Sequence, residues 1–149
     1  MYILERTQWF PRPLDEVFEF FADATNLEAM TPSFLKFRVL TPAPIAMTDG
    51  LLIDYRLSFA GVPFRWQTRI EEWRPTSHFV DLALKGPYKY WRHRHEFASE
   101  NGGTRMLDRV EYELPLGLLG HLAHVLFVRA SLRFIFDHRA AAMTAKFGS

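Results

Sequence analysis

The sequence predicts an α+β domain: a curved antiparallel sheet of about seven strands wrapped on one long C-terminal helix, with two short helices after the first strand. Three observations carry this. From Phe34 onward the apolar period changes from helical to two, and it lengthens to three and four after Pro115. Helix-start signals crowd between Phe10 and Phe34. At 149 residues the chain fits a single domain, 1–149, with a substantial core.

Met1 to Phe10 reads as a strand by β-propensity, and Pro11-Arg12-Pro13 breaks it. Pro13 suits the first turn of a helix, Asp15 and Glu16 complement its positive end, and Val17, Phe18 and Phe21 give it one apolar face. Thr25 followed by Glu28 has capping-box spacing for a second helix, which Pro32 ends by restricting Thr31. Next, Leu51, Ile53, Tyr55, Leu57 and Phe59 share one strand face, and Phe64, Trp66, Thr68 and Ile70 share another. With Gly61-Val62 as a two-residue turn, Phe59 meets Phe64, Leu57 meets Trp66 and Ile53 meets Ile70. His78 to Leu84 then leads through Lys85-Gly86-Pro87 into Tyr88 to Ala98, and Asn101-Gly102 turns the chain into Thr104 to Leu114. In the last helix Leu118, Leu122, Val125, Leu126, Leu132, Phe136 and Met143 form the stripe expected to lie on the sheet. Phe127, Phe134 and Ala141 are left on other faces, as a cavity wall or a partner surface.

Composition removes several classes of function. Lys plus Arg number 18 against 17 Asp plus Glu, so neither nucleic acid nor an anionic membrane surface is indicated as a partner. The absence of Cys excludes disulfides, thiolate metal sites and cysteine nucleophiles. Glu5, Arg6 and Gln8 interrupt the N-terminus where a signal peptide would be apolar, which points to a cytoplasmic protein. Arg129 and Arg133 break the apolar run from Leu114 to Phe136, so stable membrane insertion is not expected.

Asn-Gly is the strongest short hairpin signal, and its register locates the polar residues. Counting from Asn101-Gly102 pairs Phe97 with Met106, His95 with Asp108, His93 with Val110 and Trp91 with Tyr112, all on the inward face. Tyr90, Arg92, Arg94 and Glu96 fall on the outer face. Unpartnered buried polar groups are costly, so His93, His95 and Asp108 must bond each other, water or a ligand. Four uses stay open: a structural His95–Asp108 pair, an anchor for the polar end of an apolar ligand, an acid/base dyad in which Asp108 orients His95, and a two-His-one-carboxylate metal site. Tyr55, Trp66 and Tyr112 are further inward residues with polar handles. Val80, Leu82 and Leu84 read as the inner set of their strand, which sends Asp81 outward near Arg92 unless a bulge at Gly86 reverses it. His121 and His124 read as surface or rim residues, His138 as exposed, and Arg129 and Arg133 as snorkelling to solvent.

Several motifs carry a resemblance: Pro13-Leu14-Asp15-Glu16-Val17-Phe18, Thr31-Pro32, and Gly86-Pro87-Tyr88 with Trp91, His93, His95 and Phe97. Gly103-Thr104 with Asp108 and Tyr112, and Leu114-Pro115 with Gly117 and Gly120, complete the set. Over nearly the whole chain these resemble the SRPBCC superfamily, the helix-grip fold of START domains, Bet v 1-like proteins and polyketide cyclase/dehydrase-like domains. The likeness is nearest to a bacterial subfamily of ligand-binding domains. The resemblance implies a deep, largely apolar cavity between sheet and helix. The leading expectation is therefore binding or transport of a small hydrophobic ligand, such as a lipid, isoprenoid or polyketide-like molecule. Its expected contacts are Tyr55, Trp66, Trp91, His93, His95, Asp108 and Tyr112, with no cofactor and no metal. The alternatives are a cyclase/dehydratase-type enzyme using His95 and Asp108, and a non-catalytic interaction domain, for instance a homodimer.

Overall fold

A computed structural model describes residues 1–59 and 61–148. The chain opens with strand β1 (Tyr2–Phe10) and helix α1 (Leu14–Ala22), then a 3-10 turn (Ala24–Asn26), the short helix α2 (Leu27–Met30) and a second 3-10 turn (Ser33–Leu35). Strands β2 (Arg38–Val39), β3 (Leu52–Phe59), β4 (Val62–Arg74), β5 (His78–Lys85), β6 (Tyr90–Glu100) and β7 (Gly103–Glu113) follow. The C-terminal helix comprises α3 (Gly117–Ala123), a π-helical turn (His124–Val128) and α4 (Arg129–Phe147).

All seven strands form one antiparallel sheet in the order β1-β7-β6-β5-β4-β3-β2, so the first strand closes beside the last. Register breaks in the β4–β5 ladder, between Gln67 and Thr68 and between Glu71 and Arg74, bend the sheet. Its concave face receives α1 at one end and α4 along its length. Asn101 and Gly102 both take positive φ, as a type I′ turn requires, and the β6–β7 register counted from them is the one observed, including His95 opposite Asp108.

Three expectations are corrected. The β3–β4 turn lies one residue earlier: Phe59 pairs with Val62, Leu57 with Phe64 and Tyr55 with Trp66. The inward parity survives because pairs move by two, although residue 60 itself lies outside the described residues. Thr25 and Glu28 form no capping box. Asp23 caps instead, accepting from the Thr25 amide at 3.0 Å, while Glu28 accepts from the Val39 amide at 2.8 Å and ties α2 to the sheet edge. The C-terminal stripe is seated only in its second half, where Leu132, Phe136, Met143 and Phe147 are buried. Leu118, Leu122, Val125 and Leu126 are exposed, because the π turn holds more residues per turn and rotates the preceding stripe away from the sheet.

The core is divided. Phe10, Phe18, Phe21, Phe79, Phe97, Met143 and Phe147 pack as one ring cluster beneath α1. Trp91, Val110, Tyr112, Leu132 and Phe136 form a second, and Ile53, Tyr55 and Ile70 a third under α2. Each buried ring or branched side chain contributes about 1.5–3 kcal/mol. A space remains where the second and third clusters fail to meet.

Candidate functional site

That space is a cavity of about 380 Å³ between β3–β6 and α4. Its walls are apolar and aromatic, with Trp66, Tyr88 and Trp91 meeting at ring centroid distances of 4.8–5.7 Å. One end is polar, where His93, Asp81 and Arg139 reach the wall. Apolar walls with a few convergent polar groups are the usual make-up of a small-molecule site.

Tyr55, Trp66, Trp91 and His93 all lie on the cavity wall. His95 and Asp108 sit behind His93, fully enclosed, and are not wall residues. Tyr112 is buried in the core, and its hydroxyl meets Nε2 of His124 at 2.7 Å. His124 is therefore not a rim residue: it is buried, and its ring stacks on Tyr2 at 3.5 Å. His121 is exposed and close to the Tyr2 hydroxyl, and His138, Arg129 and Arg133 are exposed as expected.

Asp81 faces inward, against expectation. The ladder pairs Asp81 with His93 and Phe79 with His95, and β6 fixes which face those partners use. Val80 and Leu82 are thereby sent to the outer face, where Val80 is wholly buried beside the Arg92–Glu72 and Arg94–Glu72 pairs. Long arginine stems cover aliphatic surface there, which is why aliphatic character misled the parity.

The inner group is a chain of alternating charge. His93 Nε2 lies 2.8 Å from Asp108 Oδ1, and His95 Nε2 lies 2.8 Å from Asp81 Oδ2. His95 Nδ1 is 3.2 Å from the same Asp108 oxygen but off the hydrogen-bond direction, and Arg139 Nη2 approaches that oxygen at 3.5 Å. The imidazoles stack on each other at 3.8 Å, and Phe79 caps His95 at 4.4 Å.

Burial acts against every charge here, and the neighbours decide which survive. For Asp108 it is opposed by the Arg139 guanidinium, by the hydrogen bond from His93 and by the nearby His95 ring, which hold the carboxyl well below its usual range. Asp81 is also lowered, burial being outweighed by His95. Burial disfavours an imidazolium at His95, but Asp81 and Asp108 on either side raise its pKa. Burial and the adjacent His95 charge push His93 down to about 4. The neighbours thus favour the charged forms of both carboxylates and of His95 beside the Arg139 guanidinium, and the neutral form of His93. Because His93 donates through Nε2 to a carboxylate, its Nδ1 is left as an acceptor.

A pH dependence follows. The folded-state pKa of His93 is depressed from an ordinary 6.5 to about 4, so its contribution to stability is present above pH 6.5 and is lost as pH falls through 4. His95, whose pKa is raised above 6.5, adds stability as pH falls toward 6.5, a slope of opposite sign that a substitution at His93 leaves in place. His93→Gln keeps an N–H donor for Asp108 without a titrating group. Its unfolding free energy, measured by denaturant at each pH, should lack the wild-type decline of about 1.4 kcal/mol per pH unit. Equal slopes in both proteins would contradict the assignment.

Asp81, His93 and His95 can each direct one atom to a common point, these atoms lying within 4.8 Å of one another. A cation there would compete with the proton of His95 and with Arg139, which already balance the carboxylates.

The family model described as polyketide cyclase/dehydrase and lipid transport matches residues 10–147. The chain belongs to this family. The structure is similar to protein CV1439 from Chromobacterium violaceum, with a TM-score of 0.76, 12% identity and coverage of 100% of this chain and 99% of that one. A START superfamily protein from Mycobacterium smegmatis matches with a TM-score of 0.70 and 12% identity, covering 99% and 97%. The Zhui aromatase/cyclase from Streptomyces sp. R1128 matches at 0.67 and 14%, covering 96% and 94%. No curated protein matches. The helix-grip fold and membership of the SRPBCC superfamily agree with the resemblance read from the motifs, and make this a ligand-binding or polyketide cyclase/dehydrase-type protein.

Of the polar members of the group, Arg139 was missed in the sequence and Asp81 was sent outward. Arg139 is legible in retrospect: Leu132, Phe136, Arg139 and Met143 are spaced four, three and four apart, so Arg139 sits on the buried stripe. Asp81 shares its parity with Phe79, and that bulky ring was the available signal.

Proposed function

We propose that this protein is a cytoplasmic binding or carrier domain for a small hydrophobic molecule with one oxygen-bearing end. The observation that carries it is Arg139. Arg139 lines the cavity beside His93, and among the described residues its Nε and Nη2 have no hydrogen-bond partner, Nη2 making only the 3.5 Å ionic approach to Asp108. An unpaired buried donor is costly, and a ligand carboxylate, phenol or enol removes that cost. Phe21 and Phe136 hold the guanidinium between their rings at 5.3 and 5.9 Å, which fixes its direction. The volume of about 380 Å³ lies toward the lower end for small-molecule sites, roughly 300–1,000 Å³. It suits a single chain or a fused-ring compound, such as an isoprenoid, fatty acid or polyketide-like molecule, and not a two-chain phospholipid.

The cyclase/dehydratase reading keeps one specific support. Neutral His93, oriented by Asp108 and lining the cavity, has the arrangement of a general base. His95, enclosed between two carboxylates, would then act as a positioning residue.

Titration with anilinonaphthalene sulfonate, an apolar dye with an anionic end, tests the binding function. Wild type is expected to bind one equivalent, and Ser131→Trp, which projects a ring from α4 into the cavity, to weaken it about tenfold or more. Equal binding by the two proteins would overturn the proposal.

A further inference from the structure

Apart from Phe127 and Val128, which line the cavity, the first half of the C-terminal helix has no use in the cavity reading. Leu116, Leu118, Leu119, Leu122, Leu126 and Phe127 are each more than half exposed, Leu118 reaching 88%. So dense a cluster exceeds the scattered apolar residues of an ordinary surface. From Leu114 to Phe136 the chain carries Arg129 and Arg133 and no carboxylate. Asp137, the next acid, is engaged by Arg6. We infer that this segment is a docking surface for an anionic lipid bilayer, lying in the plane of the interface.

Two other occupants fit less well. A spanning helix is long and apolar enough here, since Gly117–Phe147 has 31 residues and a window of mean hydropathy 1.4. Yet its second half supplies Leu132, Phe136 and Met143 to the core and Arg139 to the charge network, so it cannot leave the sheet without unfolding the domain. A two-fold dimer through the same face would bring Arg129 and Arg133 against their own copies, with no acid in the segment to offset them. An anionic leaflet supplies that charge, while the leucines enter the acyl boundary. The overall charge of +1 hid this local excess.

The surface is continuous with the cavity mouth. Phe127 is exposed and also lines the cavity, and Phe59 does the same from the end of β3. Exposed Phe34 and Phe134 meet at 6.0 Å and add to the apolar surface of the same helix. A docked molecule could pass an apolar ligand between bilayer and cavity along these rings without exposing it to water.

The test is flotation of the full chain with phosphatidylcholine vesicles, with and without phosphatidylglycerol, at low and high salt. Wild type should float with the anionic vesicles and detach as salt rises. Leu119→Glu combined with Leu122→Glu should lower partitioning more than tenfold. Arg129→Gln combined with Arg133→Gln should lower it by about fivefold per residue on anionic vesicles only. Circular dichroism and dye binding in the cavity should be unchanged in the leucine variant, which separates failure here from failure of the cavity reading. Absence of flotation, or flotation unaffected by the leucine substitutions, would overturn the inference. So would a dimer in sedimentation that the leucine variant dissociates without any vesicle binding by wild type.

Discussion

Replacing Asp108 with alanine should lower the unfolding free energy by about 3–5 kcal/mol at neutral pH, the effect of removing one partner from a buried ion pair. Asp108 accepts from His93 and faces both His95 and Arg139, so its loss leaves two buried cations against Asp81 alone. His95 then relieves the imbalance by giving up its proton, which limits the loss. Asp108→Asn keeps an acceptor for His93 and should fall between wild type and alanine. Urea or guanidinium unfolding of the three proteins measures the series. A loss below 1 kcal/mol for alanine would mean that the inner charges do not form a balanced set.

Arg139→Met should weaken binding of an apolar carboxylate by about 10–100-fold, the worth of a charge-assisted hydrogen bond at roughly 1.5–3 kcal/mol. The methyl ester of the same chain should lose far less, since it brings no charge. Methionine retains the stem that packs between Phe21 and Phe136, which restricts the change to the guanidinium. Binding of the anion should also raise the pKa of His93 from its low value, because an added negative charge favours the imidazolium. Calorimetry in buffers of different ionisation enthalpy would register that proton. Equal losses for acid and ester would show that Arg139 shapes the cavity without reading the ligand's charge.

The parts of the fold legible in the sequence are those set by local chemistry. Asn101-Gly102 admits one turn geometry, and a tight turn propagates its register along both strands, so the facing of eight residues on β6 and β7 followed from two. Where the turn was less specific, as before Val62, the pairing slipped by two while the face survived. Asp81 was misplaced because outer-face Val80 and Leu82 look like core until the arginine lattice over them is known. The charge network joins β5, β6, β7 and α4, and no single-strand pattern shows such a meeting. His124 and the exposed leucines depend on the π turn, which a uniform helical period cannot anticipate.

A complex of the protein with a 13C-labelled apolar carboxylate, examined by isotope-filtered NOEs, reports where the ligand lies and which way it points. Contacts from the carboxylate end to Arg139 and His93, and from the chain to Trp66, Trp91 and Phe127, are the expected result. Contacts confined to Leu118, Leu119 and Leu122, with the cavity residues silent, would contradict it.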